Sequence, residues 1–323
     1  MKMTEGETTS MSFDPKSPVF WDKGALRTEL ERVFDICYGC TLCHTLCPSF
    51  VSLFQMMDEN FGDASSLKDD QMKLVVDQCY QCKLCDPICP YVPPHEWDID
   101  FPRTMMRASL VEAKDEGVSF ADRVMGDTDR VGRWASWAAP LVNWANGNSF
   151  VRRLMEKYLG IHRDRLLPTY HGRTFAKWSK NRPSAPKGHG EEKAALFYTC
   201  TVNFNEPEIG KAAVQVLEKN GIECVVPEQQ CCGMPFIDVG LLDDAVKKIE
   251  SNVASLSHVV RQGYKIVVPT ASCSYMLKQD YPRILPTDDA RLVAENTLDL
   301  SEYLMKVHES GKLDLNFSEE VGK

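Results

Sequence analysis

The spacing of hydrophobic residues changes along this chain and divides it into a helical part and an alternating part. Over residues 24–36 apolar side chains recur at helical spacing and predict an amphipathic helix. Helices are also predicted over residues 50–57 and 67–76, and most of residues 99–178 follows the same periodicity. After residue 192, short apolar runs alternate with helical stretches, which is typical of a parallel α/β sheet with right-handed crossovers.

The predicted α/β part contains three short strands and the helices that connect them. Strands are predicted over residues 194–198, 222–226 and 265–268. Helices are predicted over residues 209–220, 241–261, 274–279 and 292–308. Glycines at 221 and 263 end the first two of these helices, as expected at helix C-termini.

Composition and charge restrict the class of protein. The 323 residues carry a formal net charge of −9, which argues against nucleic acid as the main partner. No apolar run approaches the ~20 residues of a spanning helix, and residues 1–17 are polar and acidic rather than an apolar signal segment. We therefore expect a cytoplasmic protein, whose contact with a membrane would be peripheral and on the cytoplasmic face.

Eight of the 13 cysteines form two matched runs with the spacing of ferredoxin loops. The runs are Cys37, Cys40, Cys43 and Cys47, and Cys79, Cys82, Cys85 and Cys89, and each ends in Cys-Pro. Cysteines at i, i+3 and i+6 wrap three iron corners of a cubane, while the fourth cysteine reaches the other cluster. This crossover predicts one [4Fe–4S] cluster on Cys37, Cys40, Cys43 and Cys89, and a second on Cys79, Cys82, Cys85 and Cys47. Zinc knuckles, the alternative, use two CxxC pairs or histidine partners.

A second set of cysteines lies at the predicted strand ends of the α/β part. Cys200 follows the first strand, Cys231 and Cys232 follow the second, and Cys273 follows the third. Because ligands of parallel sheets gather outside the carboxyl ends of the strands, we expect four thiols in one crevice. A metal would bind them deprotonated and so remove their mutual repulsion. The alternative is structural burial, which is the interpretation that we prefer for Cys224 inside the second strand.

These motifs give the predicted organisation and fold class. Residues 1–18 form a disordered tail, 19–100 an α-helical ferredoxin domain, and 101–178 a helical connector rich in basic residues and Trp. Residues 179–192, rich in Pro, Gly and charge, form a linker to the α/β domain at 193–323. The predicted protein is thus multidomain, an α-helical ferredoxin domain plus a parallel-sheet cysteine-rich domain joined by a helical connector.

The combination of cysteine motifs resembles the CCG-domain iron–sulfur oxidoreductases, a family that includes heterodisulfide reductase and one of the subunits of anaerobic glycerol-3-phosphate dehydrogenase. The Cys231-Cys232-Gly233 motif with Cys200 and Cys273 carries the resemblance, and residues 139–143 and 167–178 are similar too. The resemblance implies that Cys200, Cys231, Cys232 and Cys273 bind a cofactor, either a third iron–sulfur cluster or zinc.

This sequence departs from the family pattern at two places. Thr270 stands where the family motif has the first cysteine of a final CxxC, so the noncubane cluster of heterodisulfide reductase is not assumed here. Relatives usually carry two CCG repeats, whereas one is found in these residues. We expect either a truncated family member or a natural short form.

The segment from residue 123 to residue 187 is strongly basic and rich in Trp. It has 13 Lys and Arg against four Asp and Glu, and four of the six Trp residues. Two interpretations stay open. One is a connector that packs its Trp side chains between the domains, and the other is a monotopic contact with a membrane.

The predicted function is electron transfer by an iron–sulfur subunit of an oxidoreductase. Electrons would pass between a flavin-containing dehydrogenase subunit, or another redox protein, and quinone or another acceptor. The flavin is assigned to a partner because these residues contain no GxGxxG fingerprint. The alternatives are a heterodisulfide or thiol reductase that acts through the CCG site, and a non-catalytic metal-binding sensor. The catalytic residues, donor, acceptor and substrate are not identified by the sequence.

Overall fold

A computed structural model describes residues 14–183 and 192–316 of the chain. Residues 1–13 of the predicted tail and residues 184–191 of the predicted linker lie outside the described residues. The described residues form two compact units. The first unit runs to Gly126 and also includes Pro235–Asp244, and the second contains the segments from Asp127 to Met234 and from Ala245 onward.

The part of the chain before residue 183 is helical. Its helices are α1 (Lys23–Cys40), α2 (Pro48–Glu59), α3 (Asp69–Asp77), α4 (Phe101–Glu116), α5 (Phe120–Gly126), α6 (Thr128–Trp137), α7 (Ala139–Gly147), α8 (Ser149–Leu159) and α9 (Phe175–Asn181). Short 3₁₀ helices cover Pro18–Trp21 and Ala64–Ser66.

The part after residue 192 alternates between strands and helices. Its elements are β1 (Lys193–Leu196), α10 (Cys200–Phe204), α11 (Pro207–Lys219), β2 (Glu223–Val225), α12 (Met234–Asp238), α13 (Leu242–Arg261), β3 (Lys265–Val268), α14 (Ala271–Tyr275), α15 (Tyr281–Ile284), α16 (Asp288–Glu295), β4 (Thr297–Asp299) and α17 (Leu300–Glu309). A π-helical turn, Met276–Asp280, lies between α14 and α15.

Local signals in the first cysteine run fix where its helices end and begin. Asp22 caps α1 by accepting a hydrogen bond from the Ala25 amide at 2.7 Å. The helix ends just after Cys40, where Thr41 adopts a left-handed conformation with φ 57°. The next helix, α2, begins at Pro48, because proline is suited to the first helical position and Cys47 supplies the extended residue before it. Cys37 and Cys40 therefore lie in the last turn of α1, and Cys43 and Cys47 lie on the short loop between the two helices.

An aromatic core supports this loop in the first unit. The Phe50 ring packs 4.4 Å from the Phe101 ring, and the Phe34 ring lies 6.3 Å from Phe101. Phe101 and Met105 of α4 belong to the same buried cluster as α1, α2 and α3. The predicted connector thus starts within the core of the first unit, and the division between compact units falls at Gly126.

The second unit contains a parallel four-stranded sheet with strand order β2-β1-β3-β4. The chain passes from β1 outward to β2 and then across to β3, so the direction of winding reverses between β1 and β3. In an open α/β sheet, the crevice for ligands lies outside the carboxyl ends of the strands at such a reversal. The α/β prediction is confirmed in its coarse form, as a small parallel sheet in a mostly helical chain.

The prediction of a continuous helix over residues 292–308 is wrong. Thr297 and Leu298 pair with Ile266 and Val267 to form the edge strand β4. Asp299 then starts α17, since its carboxylate accepts from the Ser301 amide and its own amide donates to Glu302. The apolar residues before and after β4 keep helical spacing, so periodicity alone does not show the interruption. The capping box at Asp299 and Glu302 is the sequence signal that a new helix begins there.

Gly210→Ala is expected to destabilise the second unit, although alanine is ordinarily the better helix residue by about 1 kcal/mol. The new Cβ in α11 would lie 2.6 Å from a Phe175 ring carbon and 2.7 Å from a Val202 methyl carbon. Overpacking of this kind costs about 1–3 kcal/mol. Urea unfolding followed by circular dichroism should show a loss of about 1–2 kcal/mol in the free energy of unfolding.

The matched control is Gly147→Ala at the end of α7, where a Cβ meets no atom within 4 Å. This variant should be as stable as the wild type or more stable by up to about 1 kcal/mol. Equal effects of the two substitutions would contradict the packing around Gly210.

Candidate metal centres

The four cysteines predicted for the first cluster line one cavity of the first unit. Cys37 and Cys40 lie in the last turn of α1, Cys43 follows in the loop, and Cys89 comes from the end of the second run. Phe50, Phe54, Tyr91 and Ile99 are among the residues that complete the lining. The contribution of Cys89 matters most, because it is separated from the other three thiols by more than 40 positions in the sequence.

The pKa values of these thiols show which cysteines are neighbours. Burial raises the pKa of Cys37, and the nearby Cys89, Cys43 and Cys40 raise it further. Burial also raises the pKa of Cys43 to about 11, with contributions from Cys89, Cys40 and Cys47. The thiol of Cys89 therefore lies among those of the first run, as the crossover requires.

The second group is built in the same way. Burial raises the pKa of Cys85, and Cys79, Cys43, Cys82 and Cys47 add to the shift. Three of these neighbours, Cys79, Cys82 and Cys47, are the co-ligands that the crossover predicts for Cys85. Cys43 belongs to the first group, so the two groups adjoin each other.

Thiol chemistry and lining together fit a pair of iron–sulfur clusters. Cysteine thiols are the main donors, and Phe50 and Ile99 line both the cavity of the first group and the cavity where Cys85 adjoins that group, which also includes Asp86. With pKa values such as about 11 for Cys43 and Cys79, these thiols are protonated near neutral pH until a metal displaces the protons. Within residues 14–183 and 192–316, no three His, Cys, Asp or Glu side chains form a site for a single metal ion.

The second unit brings Cys200, Cys231, Cys232 and Cys273 to the carboxyl ends of β1, β2 and β3. The Sγ atoms of Cys200 and Cys231 are 3.9 Å apart. A hydrogen bond with Cys200 lowers the pKa of Cys231, but contact with Cys232 and burial outweigh it and raise the value to about 12. Cys232 likewise hydrogen bonds with both Cys231 and Cys273, and its pKa is raised well above that of a free thiol. The four side chains thus form a continuous row of thiols.

Cys224 does not belong to this row. It lies inside β2, is fully buried, and is part of the hydrophobic core of the second unit. Burial raises its pKa to about 12. Thr270, at the position where the family motif has a further cysteine, precedes α14 and is only half-buried.

Residues that the sequence did not single out hold the backbone of the Cys231-Cys232 pair. Asp129 accepts a hydrogen bond from the Cys231 amide at 2.9 Å and forms an ion pair with Lys248. The Asn252 side chain donates to the Cys231 carbonyl at 3.1 Å, and the Tyr281 hydroxyl donates to the Cys232 carbonyl at 3.1 Å. The pair is therefore fixed by side chains from α6, α13 and α15.

Thr128 is a further residue of this site that the sequence analysis did not identify, and it contacts the thiols rather than the backbone. Its hydroxyl is buried and has no nitrogen or oxygen partner among the described residues. It lies beside the thiols of Cys200 and Cys231 and lowers the pKa of each, against the stronger effects that raise them. A buried hydroxyl directed at sulfur suits a centre whose thiolates accept hydrogen bonds. More than 70 residues separate Thr128 from the first of these cysteines, so no local sequence signal pointed to it.

Most Trp residues of the basic segment are exposed. Trp134, Trp137 and Trp144 are 67%, 80% and 60% exposed, so these three are not part of the core of the second unit. Trp178 is half-buried, with its ring 5.4 Å from that of Phe175. None of the helices within residues 14–183 and 192–316 has both the length and the apolar character needed to cross a membrane.

Two domain families match this chain and together account for all twelve candidate cysteines. Residues 30–115 match the Fer4-like domain of citrate utilization protein B, and residues 194–278 match the CCG cysteine-rich domain. The first match contains both ferredoxin runs, and the second contains the row of four thiols. No solved structure matches the chain significantly.

Two relatives are similar to part of this chain. The chain is 34% identical over 143 residues to a subunit of the anaerobic glycerol-3-phosphate dehydrogenase of Escherichia coli K12, and this match covers 44% of the chain and 36% of that relative. It is 32% identical over 120 residues to lactate utilization protein A of Bacillus pumilus, covering 36% of this chain and 49% of that protein. The matched regions therefore span less than half the length of these relatives.

These matches confirm the predicted resemblance. The chain contains a Fer4-like domain and a CCG cysteine-rich domain, and it is homologous to that subunit of anaerobic glycerol-3-phosphate dehydrogenase and to lactate utilization protein A.

Asp129→Ala is expected to destabilise the second unit strongly. Lys248 and Asp129 side chains are only 11% and 16% exposed, so removing the carboxylate leaves a nearly buried ammonium group. Breaking a buried pair costs about 3–5 kcal/mol, and Asp127 at 3.9 Å from Lys248 retains part of the interaction. Chemical denaturation should therefore show a loss of about 2–4 kcal/mol in the free energy of unfolding.

Adding Lys248→Met to Asp129→Ala should recover part of that loss, because the uncompensated charge is then gone. Glu208→Ala, which breaks the exposed pair with Lys211, should cost less than about 1 kcal/mol. A double variant no more stable than Asp129→Ala alone would count against this role of the pair.

Proposed function

We propose that this chain, a homologue of a subunit of anaerobic glycerol-3-phosphate dehydrogenase and of lactate utilization protein A, is an iron–sulfur electron-transfer subunit of an oxidoreductase. Its Fer4-like and CCG domains support binding of iron–sulfur clusters. The observation that carries the proposal is the grouping of thiols: eight cysteines in two adjoining groups in one unit, and four in a row in the other. A chain built around three thiol sites is suited to moving electrons rather than to transforming a substrate alone.

The proposed cofactors follow from these groups. Cys37, Cys40, Cys43 and Cys89 would hold one [4Fe–4S] cluster, and Cys79, Cys82, Cys85 and Cys47 the other. Cys200, Cys231, Cys232 and Cys273 would hold a third iron–sulfur cluster or zinc. When bound, the clusters supply one-electron transfer, with potentials that depend on charge and hydrogen bonds around the sulfurs.

The protein's own contribution is binding and shielding. Cysteine thiols give up their protons to bind iron, and the wall of Phe50, Phe54 and Ile99 excludes water from the first group. In the other unit, Asp129, Asn252 and Tyr281 hold the Cys231-Cys232 backbone in place.

The partners in this proposal are a flavin-containing dehydrogenase subunit, or another redox protein, and quinone or another acceptor. The relatives support the class of partner, since one of them is itself part of a dehydrogenase with several subunits. The flavin is placed in the partner because this sequence has no dinucleotide fingerprint. We also propose that the protein works in the cytoplasm or at the cytoplasmic face of the membrane.

A heterodisulfide or thiol reductase is the second candidate function. The 3.9 Å separation of the Cys200 and Cys231 sulfurs favours it, because neighbouring thiols are positioned for exchange with a disulfide. Turnover of a disulfide with an artificial electron donor and no partner protein would support this function. Its loss in Cys232→Ser, with both ferredoxin clusters retained, would locate the reaction at the row of four thiols.

An exposed aromatic ridge supports a peripheral contact with an anionic membrane. Trp134, Trp137, Leu141 and Trp144 follow one another at intervals of three, four and three residues along α6 and α7, and each is 60–80% exposed. Trp side chains favour the interface between water and lipid, and nearby cations attract acidic headgroups.

Cations lie in the same unit as this ridge. Arg130 and Arg133 are exposed on α6. A cleft of about 600 Å³ is lined by four arginines and one acidic residue, Asp164; the arginines are Arg152, Arg153, Arg163 and Arg165. Arg152 is 5% exposed and donates to backbone carbonyls, so the other cations supply the accessible positive charge. Positive charge in the unit that carries the exposed Trp residues suits an anionic lipid surface better than a neutral one.

Substitution of single cysteines tests the crossed ligand sets. Cys37→Ala and Cys89→Ala should each abolish the same EPR signal of the reduced protein, and Cys47→Ala and Cys79→Ala should abolish the other. Each variant should lose about four irons, because a cubane rarely persists without one of its thiolates. Cys224→Ala should keep all its iron. If Cys89→Ala instead gave the spectrum of Cys79→Ala, the ligand sets would not be crossed.

Flotation with liposomes tests the membrane contact. The wild type should float with vesicles that contain anionic lipid at low salt, and high salt should reduce the bound fraction. Trp137→Ala/Trp144→Ala should lose most of this binding, whereas Trp97→Ala, in the other unit, should retain it. A wild-type protein that stays with the free fraction at low salt would exclude this contact.

A further inference from the structure

The two cysteine loops have similar spacing but different side chains beside their sulfurs. In the second loop, Gln81 and Lys83 are each only 4% exposed. The corresponding positions of the first loop, counted from the first and second cysteines, are Gly39 and Thr41, and both are exposed. A buried cation is therefore present in one loop and has no counterpart at the matching positions of the other.

Backbone strain accompanies this burial. Gln81 and Lys83 adopt left-handed conformations, with φ values of 50° and 64°. Such conformations are unfavourable for residues with a Cβ and persist only where the surroundings impose them. Thr41 of the first loop is left-handed as well, with φ 57°, but it is exposed, so burial of the two long polar side chains is particular to the second loop.

A chain of hydrogen bonds connects the charge of Lys83 to a predicted cluster ligand. The Lys83 ammonium donates to the Gln81 side-chain oxygen at 2.9 Å. The Gln81 amide nitrogen lies 3.5 Å from Cys79 Sγ and donates to the Pro102 carbonyl at 3.1 Å. Pro102 thereby anchors the amide, and the ammonium lies two hydrogen bonds from the sulfur.

The opposing charge near Lys83 is more exposed than Lys83 itself. Asp238 is the carboxylate whose pKa Lys83 lowers, against the larger effect of burial, which raises it. Asp238 is exposed as a residue, whereas Lys83 is only 4% exposed and is screened less. At Cys79, Lys83 lowers the pKa of the thiol by more than Asp238 raises it. The first group has a cation too, since Arg32 lowers the pKa of Cys37, but Arg32 is only half-buried and forms an ion pair with Glu29.

We infer that Lys83 raises the reduction potential of the cluster on Cys79, Cys82, Cys85 and Cys47 above that of the other cluster. This rests on the proposed function, in which each cluster takes up one electron from the redox partner and passes it on. The added electron makes the cluster more negative, and a nearby buried cation stabilises that state. Lys83 is thus a positioning residue for the electron and not a ligand.

The consequence is an electrical asymmetry between two otherwise matched clusters. An electron shared between them spends more time on the cluster beside Lys83. At the first loop Gly39 and Thr41 are exposed, and the nearby cation, Arg32, is half-buried and paired with Glu29, so it is screened more than Lys83.

Redox titration of the whole protein, followed by EPR, tests this inference. Lys83→Gln removes the charge but keeps an amide that can bond to Gln81, so it separates charge from hydrogen bonding. It should lower one of the two midpoint potentials and leave the other unchanged. Lys83→Arg, which keeps the charge, should stay close to the wild-type values. Lys73→Met, which removes a half-exposed lysine paired with Glu112, should change neither.

Iron content separates the possible failures. Lys83→Gln with full iron and two unchanged midpoints would overturn the inference, and so would an equal shift of both clusters. If Lys83→Gln loses iron, the midpoint potentials of Lys83→Arg and Lys83→Met can be compared instead, since these two variants also differ in charge. Loss of iron in Lys83→Arg as well would assign Lys83 a structural role and overturn the inference. A wild-type protein that holds no pair of clusters would refute the proposed function itself.

Discussion

The crowding of thiol groups is the constraint on which both units depend. A thiol buried beside other thiols resists ionisation, as the raised pKa values of Cys43 and Cys79 in one unit and Cys231 in the other show. The backbone that carries these cysteines must also keep its buried amide and carbonyl groups hydrogen bonded. Much of the observed architecture can be understood as a way to satisfy both requirements.

The two units satisfy them with different secondary structure. In the first, helix ends at Thr41 and Pro48 leave a loop that curves round the thiols, and the aromatic core of Phe50 and Phe101 supports it from behind. In the second, the carboxyl ends of three parallel strands converge, and Asn252 and Tyr281 pair with the carbonyls that the thiol loop exposes. Under the proposed function, the first unit conducts electrons and the second provides a further redox or metal site.

The sequence was sufficient for the features that depend on neighbours along the chain. The helix predicted over residues 50–57 lies within α2, and the apolar run at 265–268 became β3 with the predicted bounds. It was insufficient where distant residues decide the structure. The strand order β2-β1-β3-β4 depends on which helices cover the sheet, and β4 is too short and too helical in its surroundings to be recognised.

The same limit applies to the candidate sites. Thr128 and Asp129 reach the thiol row from a segment that was interpreted as a connector, and periodicity gives no sign of this. The spacing of apolar residues does not show whether Trp137 is exposed or buried, because residues on the solvent-facing side of a short helix recur with the same period as residues on its buried side. Lys83 is similar, since a lysine between two cysteines is ordinarily a solvated residue, whereas here it is buried and donates to the Gln81 side chain.

The proposal that the two ferredoxin runs hold two [4Fe–4S] clusters can be tested by analysis of iron, acid-labile sulfide and zinc in anaerobically purified protein. At least about eight irons and eight sulfides per chain are expected. About four more of each would place a third iron–sulfur cluster on Cys200, Cys231, Cys232 and Cys273, and one zinc would assign that site to zinc. Fewer than about four irons, or iron without matching sulfide, would contradict the presence of the two clusters.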